Sequence, residues 1–298
     1  MGPFADPLYR DAWTAAGLNW RGVAFGAIAD DGTRAAVPLL VSERTADAFP
    51  YGYAGIAADR ALTAAETRSF LEAAARQLSI GKVVVRSVGG LGAAPPHEGG
   101  EVVAMTHVVF LRGEGPPEVS YSPKAAQSIR RARRAGCVVE TGGHVDSTLG
   151  LYRDAAEQRS ARYPDSVIRR LVADGIARCY RVDLDGEAVS ALVVLLSNDH
   201  WMYWLAAQNA VGRKAEAGYL ALAAMLEDAD EAGVAAVNLG ASAELPGVAK
   251  FKRRFGGVER PVLQYTYAAA SSRAREPFER AVLRARRSAR AVLRQRGG

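Results

Sequence analysis

The alternation of apolar and polar positions predicts the same run of elements twice along the chain. In the first run, apolar strands at 23–29 and 35–41 flank an Asp31-Gly32 turn, and the aromatic stretch FPYGYAGI follows. A helix begins at Thr63, because Thr63 and Glu66 have the spacing of a capping box, and it ends near Gly81. The next residues, KVVVRSV, predict a buried strand.

The second run repeats this order. CYRVDL and AVSALVVLL flank an Asp185-Gly186 turn, HWMYWLAA follows, a helix covers 216–231, and VAAVNLG predicts the returning strand. The apolar face of that helix carries Tyr219, Leu222, Ala223 and Leu226. The two Asp-Gly turns are 154 residues apart, and Gly81 and Gly233, which follow the two helices, are 152 residues apart. A period of this length indicates two duplicated domains.

A Gly/Pro-rich connector, RGEGPPEVS, separates the two runs. We therefore predict a first domain at 1–112, a linker at 113–120, a second domain at 121–272 and a basic C-terminal helix at 273–298. Each run has antiparallel strands and then a helix that returns to a parallel neighbour. This pattern predicts an α/β (α+β) fold of two halves, each a mixed sheet flanked by helices. Ligands of such sheets bind where strand direction changes, here between HWMYWLAA and the strand that ends at Gly240.

The second half opens with a strongly basic helix. Ser122 is its predicted N-cap, Pro123 its first residue, and Gly136 ends it. A narrow apolar face consists of Ala125, Ile129 and Ala132. The other side carries Lys124, Arg130, Arg131, Arg133 and Arg134. A second helix is predicted around 147–162, anchored by Leu149, Leu151 and Tyr152.

Charge is concentrated at the end of the chain. Residues 273–298 hold nine arginines and two glutamates, a net charge of +7, so the rest of the chain carries −1 of the total of +6. The composition, 49% hydrophobic and 23% charged, is that of a globular protein. No apolar run has the length of a membrane span, the start lacks the features of a secretory signal, and two cysteines do not form a disulfide framework. We expect a cytoplasmic protein without stable membrane insertion.

The motifs of common catalytic sites are missing from the sequence. It has no Gly-x-Ser-x-Gly and no phosphate-binding P-loop, and the four histidines, His97, His107, His144 and His200, lack metal-ligand spacing. We interpret the histidines as surface or structural residues and expect no metal. Lys252 stands out because Phe251 and Phe255 can anchor a short helix while the lysine points elsewhere. Such a lysine binds phosphate or an oxyanion; alternatively it belongs to a solvated basic face with Lys250, Arg253 and Arg254.

Several stretches together resemble the Fem family (FemABX). They are SPKAAQSIRRARRAGCVVE, LYRDAAEQRSARYP, WMYWLAAQNAVGRKAEAGYLALAAMLEDADEAGVAAVNLGAS and VAKFKRRFGG. The resemblance covers about residues 5–267 and implies two GNAT-like halves and transfer of an amino acid from aminoacyl-tRNA to an amine. It implies that Lys252 stabilises the oxyanion. It also places at the substrate site Phe251, Tyr51, Tyr53, Asp59, Arg159, Arg162, Tyr163, Tyr203 and Trp204.

The loop QNAVGRKAEAG lacks the usual coenzyme A motif, and we predict the donor from this difference. Coenzyme A enzymes of this fold use Arg/Gln-x-x-Gly-x-Gly/Ala, and here Gln208 and Gly212 are one residue too far apart. We therefore favour aminoacyl-tRNA over acetyl-coenzyme A and expect no other cofactor. Arginines are the predicted tRNA contacts: Arg130, Arg131, Arg134, Arg284 and Arg287. The tail helix could instead pack on the body or rest on an anionic membrane surface.

The sequence thus predicts an acyltransferase that forms an amide bond. Its acceptor is an amine on a peptidoglycan precursor or on a natural-product intermediate. Two alternatives stay open: an acyl-coenzyme A N-acyltransferase of the same fold, and a non-catalytic RNA-binding protein with degenerate GNAT halves.

Overall fold

One twelve-stranded mixed sheet runs through the computed structural model, which describes residues 3–16, 19–42, 45–47, 53–91, 96–111, 121–156, 163–242 and 245–269. The strands are β1 (Arg21–Ile28), β2 (Arg34–Val41), β3 (Thr45–Asp47), β4 (Ala57–Ala58), β5 (Lys82–Val88), β6 (Glu101–Phe110), β7 (Val138–Thr141), β8 (Ala177–Leu184), β9 (Glu187–Leu195), β10 (His200–Gln208), β11 (Ala236–Ala241) and β12 (Val258–Ala268). The helices are α1 (Pro7–Ala15), α2 (Ala64–Gln77), α3 (Pro123–Arg134), α4 (Val145–Ala156), α5 (Asp165–Ala173), α6 (Ala210–Lys214), α7 (Ala217–Glu231) and α8 (Pro246–Arg253).

The predicted repeat is visible in the strand order, β1-β2-β3-β5-β12-β6-β11-β10-β9-β8-β7. In the first half β1, β2 and β3 are antiparallel and β3 is parallel to β5. In the second half β8, β9 and β10 are antiparallel and β10 is parallel to β11. The predicted mixed sheets flanked by helices are confirmed. The third strand of the first half is Thr45–Asp47, which lies before the aromatic stretch FPYGYAGI.

The two halves share strands at the centre of the sheet. Strand β12, near the end of the described chain, lies between β5 and β6 and is antiparallel to both. Strand β6 in turn pairs with β11 of the second half. The division at 113–120 stays a prediction for the course of the chain, but hydrogen bonding joins segments from both sides of it.

Local signals set the element ends. Thr63 and Glu66 form the predicted capping box at the start of α2, which ends at Gln77, a few residues before Gly81. Ser122 caps α3, Pro123 is its first residue, and Gly136 follows it with φ of +88°. The structure adds α5, which the sequence analysis did not predict. The tail at 273–298 lies outside the described residues.

Helices cover the second half of the sheet on both faces. One core unites α1, α2, α4 and α5 with residues of β10, and the other packs α3 and α7 against β9. Because both of its faces are covered, β9 is apolar and buried at nearly every position. No helix within the described ranges combines the length and the apolar character needed to cross a bilayer.

Candidate active site

The side chain of Lys252 is buried at the carboxyl end of β11. Only 3% of the residue is exposed, although lysine usually keeps its ammonium group in water. The ammonium nitrogen donates hydrogen bonds to the carbonyl oxygens of Gly240, at 2.7 Å, and Ala241, at 2.9 Å. An ammonium group has three N–H donors, so these two bonds leave one for a ligand. The alternative of a solvated basic face fits its neighbours Lys250 and Arg253, which are exposed.

A β-bulge in β11 presents the two carbonyl groups. From Asn238 to Ala241 the pairing advances three residues on β11, whereas β6 advances only two, from Val108 to Thr106. Gly240 has φ of +76°, a left-handed conformation that costs energy for a residue with a Cβ. The Asn238 Oδ1 atom fixes the bulge by accepting hydrogen bonds from Gly240 N, at 2.8 Å, and Thr106 Oγ1, at 2.6 Å.

Aromatic packing holds α8 in place. The Phe251 and Phe255 rings lie 4.8 and 5.7 Å from the ring of Tyr219 and 5.4 Å from each other, measured between centroids. The hydroxyl of Tyr219 accepts a hydrogen bond from Arg254. The prediction that Phe251 and Phe255 anchor a short helix is confirmed. A role of Phe251 in binding substrate stays a prediction.

Burial lowers the pKa of the Lys252 ammonium from its usual value to about 8. The cause is desolvation, which disfavours the charged form. The group is still largely protonated at neutral pH, because neutral pH lies below this pKa. A charge in such a poorly solvated position interacts more strongly with a nearby anion than it would in water. Lys252 is therefore suited to stabilise negative charge that develops at the end of β11.

Tyr53 brings the first half to the same place. Its hydroxyl interacts with the backbone of Ala241, and burial raises the pKa of that hydroxyl. The Phe4 ring packs edge-on against Tyr53 at 6.2 Å between centroids. Tyr53 and Lys252 thus contact the same residue of β11 from different halves of the chain. Tyr51, its predicted companion, lies outside the described residues.

Two further polar side chains lie at this end of β11, and our sequence analysis missed both. Ser242 follows the strand and is buried, and its Oγ atom lies 3.4 Å from Nδ1 of the buried His107 on β6. The other ring nitrogen, Nε2, lies 3.5 Å from a carboxylate oxygen of Glu259 on β12. We had interpreted His107 as surface or structural. The one sequence signal was a histidine within the apolar strand VVAMTHVVF, with no partner at a recognisable spacing.

The parallel pair β10–β11 flanks the site, where we expected strand direction to change. The two strands pair over three residues only, and from Tyr203 to Gln208 β10 pairs with β9 but not with β11. Its pairing with β9 shifts register between Tyr203 and Leu205. Tyr203 packs with the core that contains Phe251 and Phe255. Its backbone lies beside Gly240, since a Cβ at Gly240 would be 3.6 Å from the Tyr203 carbonyl oxygen, while its contact with substrate stays a prediction.

Trp204 and Tyr163 lie in the other core. Their ring centroids are 4.7 Å apart, and Tyr9 and Trp13 of α1 complete the cluster, at 6.2 Å from Trp204 and from Tyr163 respectively. This aromatic cluster joins α1 to β10 of the second half. A role of Trp204 or Tyr163 in binding substrate stays a prediction.

Asp59 lies on the first half and pairs with Arg34. Its carboxylate accepts hydrogen bonds from the Arg34 guanidinium, at 3.0 Å, and from the Arg34 backbone, at 3.1 Å. This partner lowers the pKa of Asp59. The contact of Asp59 with substrate stays a prediction. Four other predicted site residues lie outside the described ranges: Arg159, Arg162, Arg284 and Arg287.

Helix α3 presents its arginines to solvent, as its narrow apolar face predicted. Ala125, Ile129 and Ala132 are buried, whereas Arg130, Arg131 and Arg134 are exposed. Arg131 lies 3.4 Å from the carboxylate of Glu216, and Lys124 lies 3.7 Å from the same oxygen. The face is basic and exposed, and its contact with tRNA stays a prediction.

The loop that follows β10 forms the short helix α6 instead of an open turn. Asn209 caps it, and its Oδ1 accepts a hydrogen bond from Gly212 N at 2.8 Å. Gly212 packs so closely that a Cβ there would lie 2.2 Å from the carbonyl oxygen of Val189. Glu216 immediately precedes α7, and its backbone oxygen accepts from Tyr219 N.

Comparison with known proteins identifies this fold. Residues 123–253 match a family model described as an acetyltransferase (GNAT) domain, and a search of curated proteins finds no match. A crystal structure of FemX shares 12% identity with a TM-score of 0.59, covering 87% of this chain and 91% of that chain.

Two further solved structures are similar to this chain. The C-terminal domain of a putative lysylphosphatidylglycerol synthetase from Agrobacterium fabrum is 12% identical, with a TM-score of 0.56 and coverage of 89% of both chains. L-PGS from Bacillus licheniformis is 11% identical, with a TM-score of 0.50 and coverage of 89% and 93%. At such identities the likeness concerns the fold. The second half therefore carries a GNAT domain, and the chain as a whole has the GNAT-type acyltransferase fold of the Fem-like structures.

Proposed function

We propose that this protein transfers an aminoacyl group from aminoacyl-tRNA to an amine acceptor, with Lys252 stabilising the oxyanion. The observation that carries the proposal is the buried Lys252 ammonium, fixed by the carbonyl oxygens of Gly240 and Ala241. A fixed, poorly solvated cation stabilises a charge that forms during reaction without having to reorganise.

The reaction needs little from the protein beyond positioning of the two reactants and stabilisation of the oxyanion. The aminoacyl group is an activated ester, so the acceptor nitrogen can attack its carbonyl carbon directly. A C–N bond forms, the carbonyl oxygen becomes an oxyanion, and the ester C–O bond then breaks to release the tRNA hydroxyl. The third N–H donor of Lys252 would bind the oxyanion, and the protein would hold the two reactants together.

The acceptor would approach from the first half. Tyr53 reaches Ala241 from that side, so a molecule bound there would contact residues of both halves. The acceptor nitrogen must be uncharged to attack. The molecule that bears this amine would be a peptidoglycan precursor or a small intermediate of natural-product synthesis.

The loop after β10 supports tRNA over coenzyme A. Coenzyme A enzymes of this fold bind pyrophosphate on free N–H groups at a helix N-terminus. Here the N–H groups of Gly212 and Tyr219 are bound to Asn209 and Glu216. The exposed arginines of α3 would instead contact the phosphates of an RNA donor.

A donor-by-acceptor screen tests the proposal. The full chain is mixed with labelled aminoacyl-tRNAs or with acetyl-coenzyme A, each with a panel of amines, and the amide product is counted. We expect product from aminoacyl-tRNA. Lys252→Ala should lower the rate about 10²–10³-fold, while Lys250→Ala, an exposed lysine on the same helix, should not.

The same screen identifies the alternatives. Product from acetyl-coenzyme A alone would favour an acyl-coenzyme A N-acyltransferase and refute the tRNA donor. Binding of tRNA without product from any amine would favour an RNA-binding protein. A Lys252→Ala enzyme that works at the wild-type rate would remove the assignment of the oxyanion site.

The dependence of tRNA affinity on salt tests the RNA face. Replacing Arg130, Arg131 and Arg134 by alanine should reduce the slope of log affinity against log salt by about 0.7–0.9 for each phosphate that the variant no longer neutralises. Arg68→Ala on α2 is the matched control, since Arg68 is also an exposed helical arginine. An unchanged slope in the triple variant would show that α3 does not bind the tRNA backbone.

A further inference from the structure

A serine, a histidine and a carboxylate lie next to one another beside Lys252. His107 is on β6, Glu259 is on β12 and Ser242 directly follows β11; we call these three residues the line. Ser242 Oγ lies 3.4 Å from His107 Nδ1, and His107 Nε2 lies 3.5 Å from Glu259 Oε1. Arg253, which follows Lys252 on α8, binds the same Glu259 oxygen at 3.1 Å. Because His107 is 1% and Ser242 6% exposed, their side chains are held in place by packing.

The surroundings of His107 keep its ring neutral. Burial lowers the pKa of the imidazole below its ordinary value, the charges of Lys252 and Arg253 lower it further, and only Glu259 opposes them. A neutral imidazole has one N–H and one lone pair. Among the described residues Nε2 makes no hydrogen bond, but the negative charge of the Glu259 carboxylate lies 3.5 Å away and favours the N–H on Nε2. The lone pair then lies on Nδ1 and faces the hydroxyl of Ser242.

A second buried histidine shows what a purely structural ring looks like in this protein. His97 accepts a hydrogen bond from Leu62 N at 3.0 Å, and its other ring nitrogen lies 2.9 Å from the carbonyl oxygen of Ile56. Both of these partners are backbone groups that cannot titrate. His107 instead faces a hydroxyl and a carboxylate, at longer distances, and both of these groups can take part in proton transfer.

The line borders the candidate active site. A Cβ at Gly257 would lie 2.8 Å from the Lys252 carbonyl oxygen and 3.2 Å from His107 Cβ, so these two residues are close neighbours. Ser242 directly follows Ala241, which binds the Lys252 ammonium. The first residues of β6 extend past the end of β11. There Met105, on the same strand face as His107, is 43% exposed.

We propose that Ser242, His107 and Glu259 form a proton relay that takes the proton from the attacking amine. This inference rests on the acyl transfer proposed above. Ser242 would contact the amine, His107 would act as the base through Ser242, and Glu259 would orient the ring.

The proposed relay accounts for each proton that moves during the reaction. As the C–N bond forms, the amine nitrogen gives a proton to Ser242 Oγ, and Ser242 passes its own proton to His107 Nδ1. The imidazolium that results is stabilised by Glu259. When the ester C–O bond breaks, the proton returns along the same path to the leaving oxygen. His107 and Ser242 thereby regain their starting states.

Nitrogen NMR of the histidine rings tests the relay without any substrate. The full chain is labelled with ¹⁵N-histidine, and the His107 signals are assigned by their loss in His107→Gln. We expect a neutral ring at pH 7 with its proton on Nε2, and a shift of the Nδ1 signal in Ser242→Ala. A charged ring, or a proton on Nδ1, would overturn the relay whether or not transfer activity is found.

Single-turnover transfer, with the donor and amine identified by the screen, provides the kinetic test. His107→Gln and Ser242→Ala should each lower the rate about 10²–10⁴-fold, the usual effect of general base catalysis, with donor affinity unchanged. Ser242→Thr, which keeps the hydroxyl, should restore much of the rate. Glu259→Gln should have a smaller effect, and His144→Gln, a partly exposed histidine on another part of the second half, should have none.

The pH profile separates a base from a structural residue. Dividing the wild-type rate by the His107→Gln rate cancels the titration of the amine itself. This ratio should fall in acid, at a pH below the ordinary imidazole pKa of 6.5, because burial lowers the pKa at which His107 becomes protonated. A flat ratio, or rates within twofold of wild type in His107→Gln while Lys252→Ala is inactive, would refute the relay and leave the proposed function intact. Trapping an acyl group on Ser242 would also refute it, since Ser242 would then be a nucleophile.

Discussion

Replacing Lys252 by methionine distinguishes an ammonium group that stabilises an oxyanion from one that merely braces the fold. Methionine has a similar length and no charge, so it fills the same buried position. We expect the transfer rate to fall about 10²–10³-fold, which corresponds to about 2.7–4 kcal/mol of lost transition-state stabilisation. The free energy of unfolding should change by less than about 2 kcal/mol.

The small stability change follows from two opposing contributions. The pKa of Lys252 falls from 10.5 to about 8 on folding, so burying the charged form costs about 3 kcal/mol. Removing the charge relieves that cost. It also leaves the carbonyl oxygens of Gly240 and Ala241 without their donor, at about 1–3 kcal/mol for each unsatisfied group. The gain and the loss are similar in size.

The two quantities also have opposite pH dependences. Between about pH 8 and 10.5 the unfolded chain holds a proton on Lys252 that the folded chain has lost, so stability rises with pH in this window. The ratio of the wild-type transfer rate to the Lys252→Met rate should fall in the same window, because the ammonium deprotonates and the titration of the acceptor amine cancels in the ratio. The rise in stability should be missing in Lys252→Met.

The assays are single-turnover transfer and urea denaturation, each followed across pH, with Lys250→Met as the control. Lys250 is exposed on the same helix, so its replacement should leave both quantities nearly unchanged. A Lys252→Met protein that keeps its rate within threefold and loses more than 3 kcal/mol of stability would refute the reasoning. Lys252 would then be a structural brace.

Five further substitutions, at four positions, test the roles of backbone conformation and helix capping by urea denaturation. Gly240→Val should destabilise by about 2 kcal/mol, because its φ of +76° is left-handed. Gly212→Ala should be strongly destabilising, since its Cβ would lie 2.2 Å from the Val189 oxygen, whereas Gly150→Ala, in open space on α4, should be neutral or stabilising. Thr63→Ala should cost about 1 kcal/mol, and Thr63→Ser should cost less, because serine keeps the capping hydroxyl.

Local chemistry made much of the fold predictable. The Asp185-Gly186 turn joins β8 and β9 with φ of +53° and +81°, the conformation for which such a pair is chosen in tight hairpins. The capping box at Thr63 and the proline at the start of α3 fix helix ends through neighbouring residues alone. The helix that carries Lys252 was predicted from two phenylalanines one turn apart. All of these signals lie within a few residues of the feature that they determine.

The rest of the site depends on contacts between distant segments. His107 meets Ser242 and Glu259, 135 and 152 residues further along the chain. That meeting requires β6 to lie between β11 and β12, and the insertion of β12 into the middle of the sheet has no local signal. Tyr53 reaches Ala241 for the same reason. A repeat in the sequence indicates two similar halves. It does not indicate that β12, which follows the second half of the repeat, lies between β5 and β6 of the first half.

The parallel strand pairs of the two halves differ in what occupies equivalent positions. Asp47 pairs with Val84 as Met202 pairs with Asn238, so Arg86 stands where Gly240 stands in the second half. The Arg86 guanidinium fills the first position, with hydrogen bonds to Asp47 at 3.2 Å and to Gln264 of β12 at 2.9 Å. A glycine in the second position leaves room for a side chain from elsewhere, and the Lys252 nitrogen would lie 3.9 Å from a Cβ at Gly240. In the first half, the charge of Arg86 is thus neutralised by Asp47 on the neighbouring strand β3. The equivalent position of the second half admits the Lys252 ammonium group, whose partners among the described residues are the carbonyl oxygens of Gly240 and Ala241.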